Sequence, residues 1–209
     1  MPPDARPLLA LAPVIPVLTI KDASTAVRLA RALVAGGLPV IEVTLRTPVA
    51  LEAIRAIARD LPDAVVGAGT ITRAGDIQAA TAAGSRFLVS PGTPPDLADA
   101  LANLPVPVLP GCATVTEAMA LAERGFAALK FFPAEPSGGA AFLKSLSGPL
   151  PGLVFCPTGG IDAAKAPSYL ALGNVGAVGG SWVVPDDALA SGDFARITDL
   201  ARAARALRP

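Results

Sequence analysis

GGLPVIEVTLRTP, residues 36–48, holds one complete junction between secondary-structure elements. Two glycines end the segment before it, a run of alternating character reads as a strand from Val40, and Thr47-Pro48 opens the segment after it. On either side lie AVRLARALVAGG (26–37) and ALEAIRAIARDL (50–61), whose apolar residues recur at helical spacing. The strand itself is informative in detail. Side chains alternate across a strand, so Ile41, Val43 and Leu45 share one face and Glu42, Thr44 and Arg46 the other. An apolar set packed under helices and a polar set turned inward is the pattern of a strand in a closed parallel sheet.

The same unit repeats along the chain. Candidate strands are VIPVL at 14, VIEVTL at 40, AVVGAGT at 64, RFLVSPG at 86, VPVLPGC at 106, ALKFFP at 128, LVFCPTGG at 153 and VGAVGGS at 175, with helically spaced segments between and after them. Eight strand-helix units at this short spacing predict a single-domain (βα)8 TIM barrel over residues 1–209, with the residues before Pro13 as a short N-terminal cap on its bottom. In such a barrel the chemistry belongs at the carboxyl ends of the strands.

Composition removes several function classes. Lys+Arg and Asp+Glu are both 17 and aromatics are 4%, so there is neither a basic field nor a stacking platform, and nucleic acid is not an expected partner. The absence of histidine rules out Ser-His-Asp hydrolysis, Cys-His proteolysis and imidazole-ligated zinc. Cys112 and Cys156 stand far apart without metal-ligand spacing and read as buried free thiols of a cytoplasmic protein. The uncharged stretch 7–20 is broken by Pro13 and Pro16, and the membrane-length stretch 166–185 carries glycines, prolines and Asn174. No membrane association is expected from either.

Two strands and two turns carry the chemistry. In AALKFFPAE (127–135), Ala128, Lys130 and Phe132 face inward while Leu129 and Phe131 face the helices. The chain has four lysines against thirteen arginines, yet keeps Lys at this position. An ammonium can lose its proton and become a nucleophile, whereas a guanidinium cannot. Glu42 and Arg46 of the second strand would share that interior, as a catalytic set or as a buried ion pair without chemistry. PTGG (157–160) and GGSW (179–182) place paired glycines after the last two strands, where main-chain N–H groups can converge on a phosphate or simply make tight turns. Thr70 and Thr158 close two further strands and could donate hydroxyls to a carboxylate. GAGT lacks the rest of a dinucleotide fingerprint and reads as a strand end. Asp162, Asp186 and Asp187 read as a helix cap and a solvated turn.

With these residues in view, the chain resembles the bacterial 2-keto-3-deoxy-6-phosphogluconate and 4-hydroxy-2-oxoglutarate aldolases, class I pyruvate aldolases. The resemblance runs from VIPVL at 14 to SWVVP at 185 through GGLPVIEVTLRT, VGAGT, VSPG, LPGCATVTEAM, LKFFPAE, FCPTGGI and GGSWVVP. It implies that Lys130 forms a Schiff base, that Glu42 transfers protons, and that Arg46, with Thr70 and Thr158, holds the pyruvyl carboxylate. It further implies that Pro91 and Phe132 line the pyruvyl pocket and that Gly159, Gly160, Gly180 and Ser181 bind phosphate. The implied substrate is a 2-keto-3-deoxy sugar acid phosphate, the implied assembly a homotrimer, and no metal or cofactor is implied. AEPSGG, in place of the family's usual filling, and Cys112 in PGCAT depart from the pattern without touching these positions. A galactonate-type relative shares the lysine strand and the glutamate, while TLRT with FFPAE and GGSW leans toward the gluconate type. Rival chemistries on the same barrel are a phosphosugar isomerase or epimerase using Glu42 as base, a metal-assisted aldolase, and a non-catalytic sugar-phosphate binder.

Overall fold

Strand and helix alternate along a computed structural model that describes residues 1–207. After a short helix α1 (Arg6–Ala10) come β1 (Val14–Leu18), α2 (Ala26–Ala35), β2 (Val40–Thr44), α3 (Ala50–Asp60), β3 (Val65–Gly69) and α4 (Ala74–Ala82). They are followed by β4 (Leu88–Val89), α5 (Pro95–Ala102), β5 (Val108–Leu109), β6 (Gly111–Cys112), α6 (Val115–Glu123), β7 (Ala128–Phe131) and α7 (Gly139–Leu146). The chain closes with β8 (Val154–Pro157), α8 (Ala166–Leu170), β9 (Val178–Gly180), α9 (Asp186–Ser191) and α10 (Phe194–Arg205).

All strand pairings are parallel, in a six-stranded sheet ordered β5-β4-β3-β2-β1-β9 and a three-stranded sheet ordered β6-β7-β8. The expected uniform set of eight strands is therefore not what forms. The VPVLPGC segment is split at Pro110, which has no N–H to add to a ladder, and its halves pair with different neighbours, β5 with β4 and β6 with β7. RFLVSPG shrinks to two strand residues. Between β8 and β9 only the isolated bridges Phe155↔Val175 and Thr158↔Gly179 form.

The alternation expected along the strands is observed. Ile41, Val43, Leu129 and Phe131 lie in the core beneath the helices, with Leu45 packed at its edge. Facing inward, a second core joins Ile15, Val40, Phe87, Ala128, Cys156 and Ala177. Ala5, Leu8 and Leu9 belong to this inner core, so α1 covers the amino ends of the strands in the capping position expected for residues before Pro13. The inner positions change character along each strand. Apolar Ile15, Val40 and Ala128 lie at the covered end, and Thr19, Thr44, Lys130 and Thr158 follow toward the carboxyl ends. Burial of the greasy layer stabilises the fold at about 25 cal/mol per Å² of apolar surface, which leaves the opposite end free to carry polar groups.

Candidate active site

Lys130 and Glu42 face each other across the interior. Their elements are separated by β3 to β6, yet Lys130 Nζ donates to Glu42 Oε1 at 3.1 Å and approaches Oε2 at 3.5 Å. Both side chains are 5% exposed. The ammonium also lies 5.4 Å from the centroid of the Phe132 ring. Glu42 can occupy this place because β3 presents glycine beside it. A Cβ built on Gly69 would come 2.0 Å from Glu42 Oε1. Such a distance admits no side chain, so the glycine of VGAGT is a spatial requirement of the carboxylate.

A cavity of about 220 Å³ opens above the pair, lined on its walls by Lys130, Phe132, Arg46, Thr158, the 159–161 turn and residues 179–181 at the end of β9. Arg46 is exposed at the rim and donates through Nε to Thr70 Oγ1 at 3.1 Å. Thr70 holds a left-handed backbone, φ 64°. For a β-branched residue that conformation costs about 1–3 kcal/mol. Thr158 sits against β9, where a Cβ on Gly179 would meet its Oγ1 at 2.2 Å.

The Gly159-Gly160 turn is held from behind. Glu135 N–H donates to the Gly159 carbonyl at 3.1 Å, and Lys165 Nζ donates to the Gly160 carbonyl at 2.8 Å. A planar trans peptide points its N–H opposite to its C=O, so the N–H groups of Gly160 and Ile161 are turned away from these two partners. The residues that carry them line the cavity. Both glycines have positive φ, 105° and 78°, which the turn demands and larger residues resist. Glu135 anchors the arrangement by pairing with Lys165 at 3.1 Å and accepting from the Tyr169 hydroxyl. The hydrogen bonds from Tyr169 and then Lys165 hold the Glu135 carboxyl below the usual range, while burial and Glu135 push the Tyr169 phenol upward.

Nine of the eleven expected site residues are thus brought together: Glu42, Arg46, Lys130, Phe132, Thr158, Gly159, Gly160, Gly180 and Ser181. Thr70 is one contact removed, behind Arg46. Pro91 follows β4 by two residues, with its main chain against Gly111, and is not among the cavity-lining residues. Asp162 accepts from the N–H groups of Ala164 and Lys165, the capping geometry expected of it. Asp186 and Asp187 lie in the first turn of α9 and not in the solvated turn expected for them. Thr19, Val17 and Ile161 also line the cavity and went unnoticed in the sequence, as did Gly69. Inward parity on the first strand would have revealed Thr19. The role of Gly69 depends on a contact between strands and has no sequence signal.

The family described as KDPG and KHG aldolase matches residues 6–200. The chain belongs to the KDPG and KHG aldolase family. A 2-dehydro-3-deoxy-phosphogluconate aldolase of Pseudoalteromonas atlantica is 50% identical over 192 residues, 92% of this chain and 89% of that protein. Among solved structures, a KDPG aldolase from Legionella pneumophila, with pyruvate captured at low pH as a covalent carbinolamine, superposes with a TM-score of 0.95 at 43% identity. It covers 97% of this chain and 98% of that one. The KDPG aldolase of Zymomonas mobilis ZM4, solved with 3-phosphoglycerate, gives a TM-score of 0.92 at 47% identity over 98% and 96% of the two chains. In this member of the family, the buried amine and carboxylate lie on β7 and β2 toward their carboxyl ends, where a barrel-like parallel fold keeps its chemistry.

Proposed function

We propose that this protein is a class I aldolase, a lyase that cleaves 2-keto-3-deoxy-6-phosphogluconate to pyruvate and glyceraldehyde 3-phosphate, with 4-hydroxy-2-oxoglutarate as an additional substrate. The observation that carries this reading is the buried amine of Lys130, 3.1 Å from a buried carboxylate, at the base of a cavity with a guanidinium on one wall and the Gly159-Gly160 turn on another. Family membership and the pyruvate carbinolamine in the Legionella relative support it.

Lys130 passes a proton to Glu42 and attacks the C2 ketone as the free amine. Glu42 returns a proton to the carbinolamine oxygen, water leaves, and an iminium forms. The carboxylate then takes the C4 hydroxyl proton. The C3–C4 bond breaks, its electron pair moves into the iminium, and C4 departs as an aldehyde. The remaining enamine is protonated at C3, and water releases pyruvate and restores Lys130. One water is lost and one consumed, so the reaction needs no other reagent. In this reading Arg46, steadied by Thr70 and assisted by Thr158, holds the pyruvyl carboxylate, and Phe132 and Pro91 flank the pyruvyl group. Gly159, Gly160, Gly180 and Ser181 hold the phosphate. Fixing the substrate at both ends orients the scissile bond.

The fold in this reading is one (βα)8 barrel domain over residues 1–209, the last two of which lie outside the described residues, with β5 and β6 as one strand interrupted at Pro110 and the two bridges joining β8 to β9. The protein is assigned to the cytoplasm, in keeping with two buried, unpaired thiols. Among the described residues no helix is long and apolar enough to cross a membrane. A homotrimer is proposed, to which the exposed Val115 and Met119, one turn apart on α6, offer an apolar face. A coupled lactate dehydrogenase assay over a panel of 2-keto-3-deoxy acids, with and without phosphate and of both C4 configurations, tests the assignment. Pyruvate release fastest from the phosphorylated gluconate-type acid is expected, and ligand binding without pyruvate release would overturn it.

A further inference from the structure

At the end of β1, Thr19 is wired in one direction. The hydroxyl of Thr44, fully buried on β2, donates its single hydrogen to the Leu18 carbonyl at 2.9 Å. Thr44 Oγ1 lies 3.1 Å from Thr19 Oγ1. With the Thr44 hydrogen committed, only Thr19 can donate across that contact, and the remaining capacity of its oxygen is acceptance alone. Thr19 is exposed and lines the active-site cavity together with Ser181 and Gly180. It therefore offers the cavity a fixed acceptor, a poor partner for a phosphate or carboxylate and a good one for a hydroxyl.

Resting on the aldolase reading above, we infer that Thr19 is a specificity-determining residue that accepts a hydrogen bond from the substrate hydroxyl lying between the scissile bond and the phosphate. Of the two hydroxyls on the substrate chain, the one at C4 gives its proton to Glu42, which leaves the C5 hydroxyl. In the synthetic direction this group is the hydroxyl of glyceraldehyde 3-phosphate.

The test compares pyruvate addition to glyceraldehyde 3-phosphate and to 3-oxopropyl phosphate, which lacks only that hydroxyl. Exchange of pyruvate methyl protons into deuterated water reports in each variant that Lys130 and Glu42 still work. Wild type favours the hydroxylated acceptor in kcat/KM, Thr19→Val loses about tenfold of that preference, and Thr19→Ser keeps it. An unchanged ratio in Thr19→Val, or an equal loss on both acceptors, overturns the assignment of Thr19. Failure of the wild type to condense pyruvate with either aldehyde overturns the aldolase reading instead.

Discussion

Lys130 Nζ and Glu42 Oε1 are 3.1 Å apart with both side chains 5% exposed, although 88 residues separate them in sequence. Desolvating two such charges costs several kcal/mol for each, and their mutual attraction offsets that only when the geometry is good. A buried pair is thus weak evidence for stability and stronger evidence for chemistry when one partner is a lysine in a cavity wall.

Borohydride reduction in the presence of pyruvate traps a Schiff base at its nitrogen. Peptide mass mapping should find the label on Lys130 and lose it in Lys130→Ala. A label on Lys144 or Lys165 would show that another amine does the work.

Glu42→Gln keeps the shape and removes the proton acceptor. Turnover should fall by about 10²- to 10⁴-fold while substrate binding changes little. Equal losses in kcat and in affinity would reduce Glu42 to a ligand-positioning group. For stability, either single neutralisation strands a buried charge at a cost of about 3–5 kcal/mol, and Lys130→Met with Glu42→Gln should cost less than the sum. Urea denaturation of the four proteins measures that coupling.

Gly69→Ala tests the space beside the carboxylate, since the new methyl would lie 2.0 Å from Glu42 Oε1. Displacing the carboxylate by about 1 Å should lower kcat by about 10²-fold in a protein that still folds. Normal activity in a variant with native circular dichroism would mean that Glu42 need not stand where it does.

Gly160→Ala strains a backbone at φ 78° and brings a methyl within 2.8 Å of Glu135 Cγ. The expected result is a raised KM for the phosphorylated substrate with pyruvate methyl exchange nearly unchanged, because exchange needs no phosphate. Loss of both together would argue that the turn supports the whole site and not the phosphate end.

Cys112 and Cys156 give a prediction in pH. Burial pushes both thiols up to about 12 from an ordinary value of 9.0, with Glu117 adding to the rise at Cys112 and Lys130 opposing it at Cys156. Above pH 9 the unfolded chain loses these protons while the folded chain keeps them, so stability falls as pH rises from about 9 toward 12. The limiting slope is about 1.4 kcal/mol per pH unit for each thiol. Denaturation midpoints from pH 8 to 11 should fall less steeply in a Cys112→Ala, Cys156→Ala variant, and parallel slopes would refute the assignment.

Sequence patterns revealed what is local in this molecule. Alternation placed Glu42 and Lys130 inward and Leu129 and Phe131 beneath the helices, because a strand enforces a two-residue period whatever its neighbours do. The Gly159-Gly160 pair announced its turn for the same local reason, whereas Gly179 and Gly180, expected after the last strand, lie inside β9. What escaped is relational. The break at Pro110 follows from which neighbours each half of a segment can reach, and the spatial role of Gly69 from a carboxylate on another strand. The one-way hydroxyl wiring of Thr19 likewise needs Thr44, 25 residues away. Pro91 rests on motif likeness alone, and it is not among the residues that line the cavity.

Leu8 and Leu9 of α1 stopper one end of the barrel-like interior. A vessel with a single mouth imposes a queue. In the proposed reaction the fragment held on Lys130 would lie deepest and the phosphorylated aldehyde nearer the opening, so the aldehyde would depart first and pyruvate last.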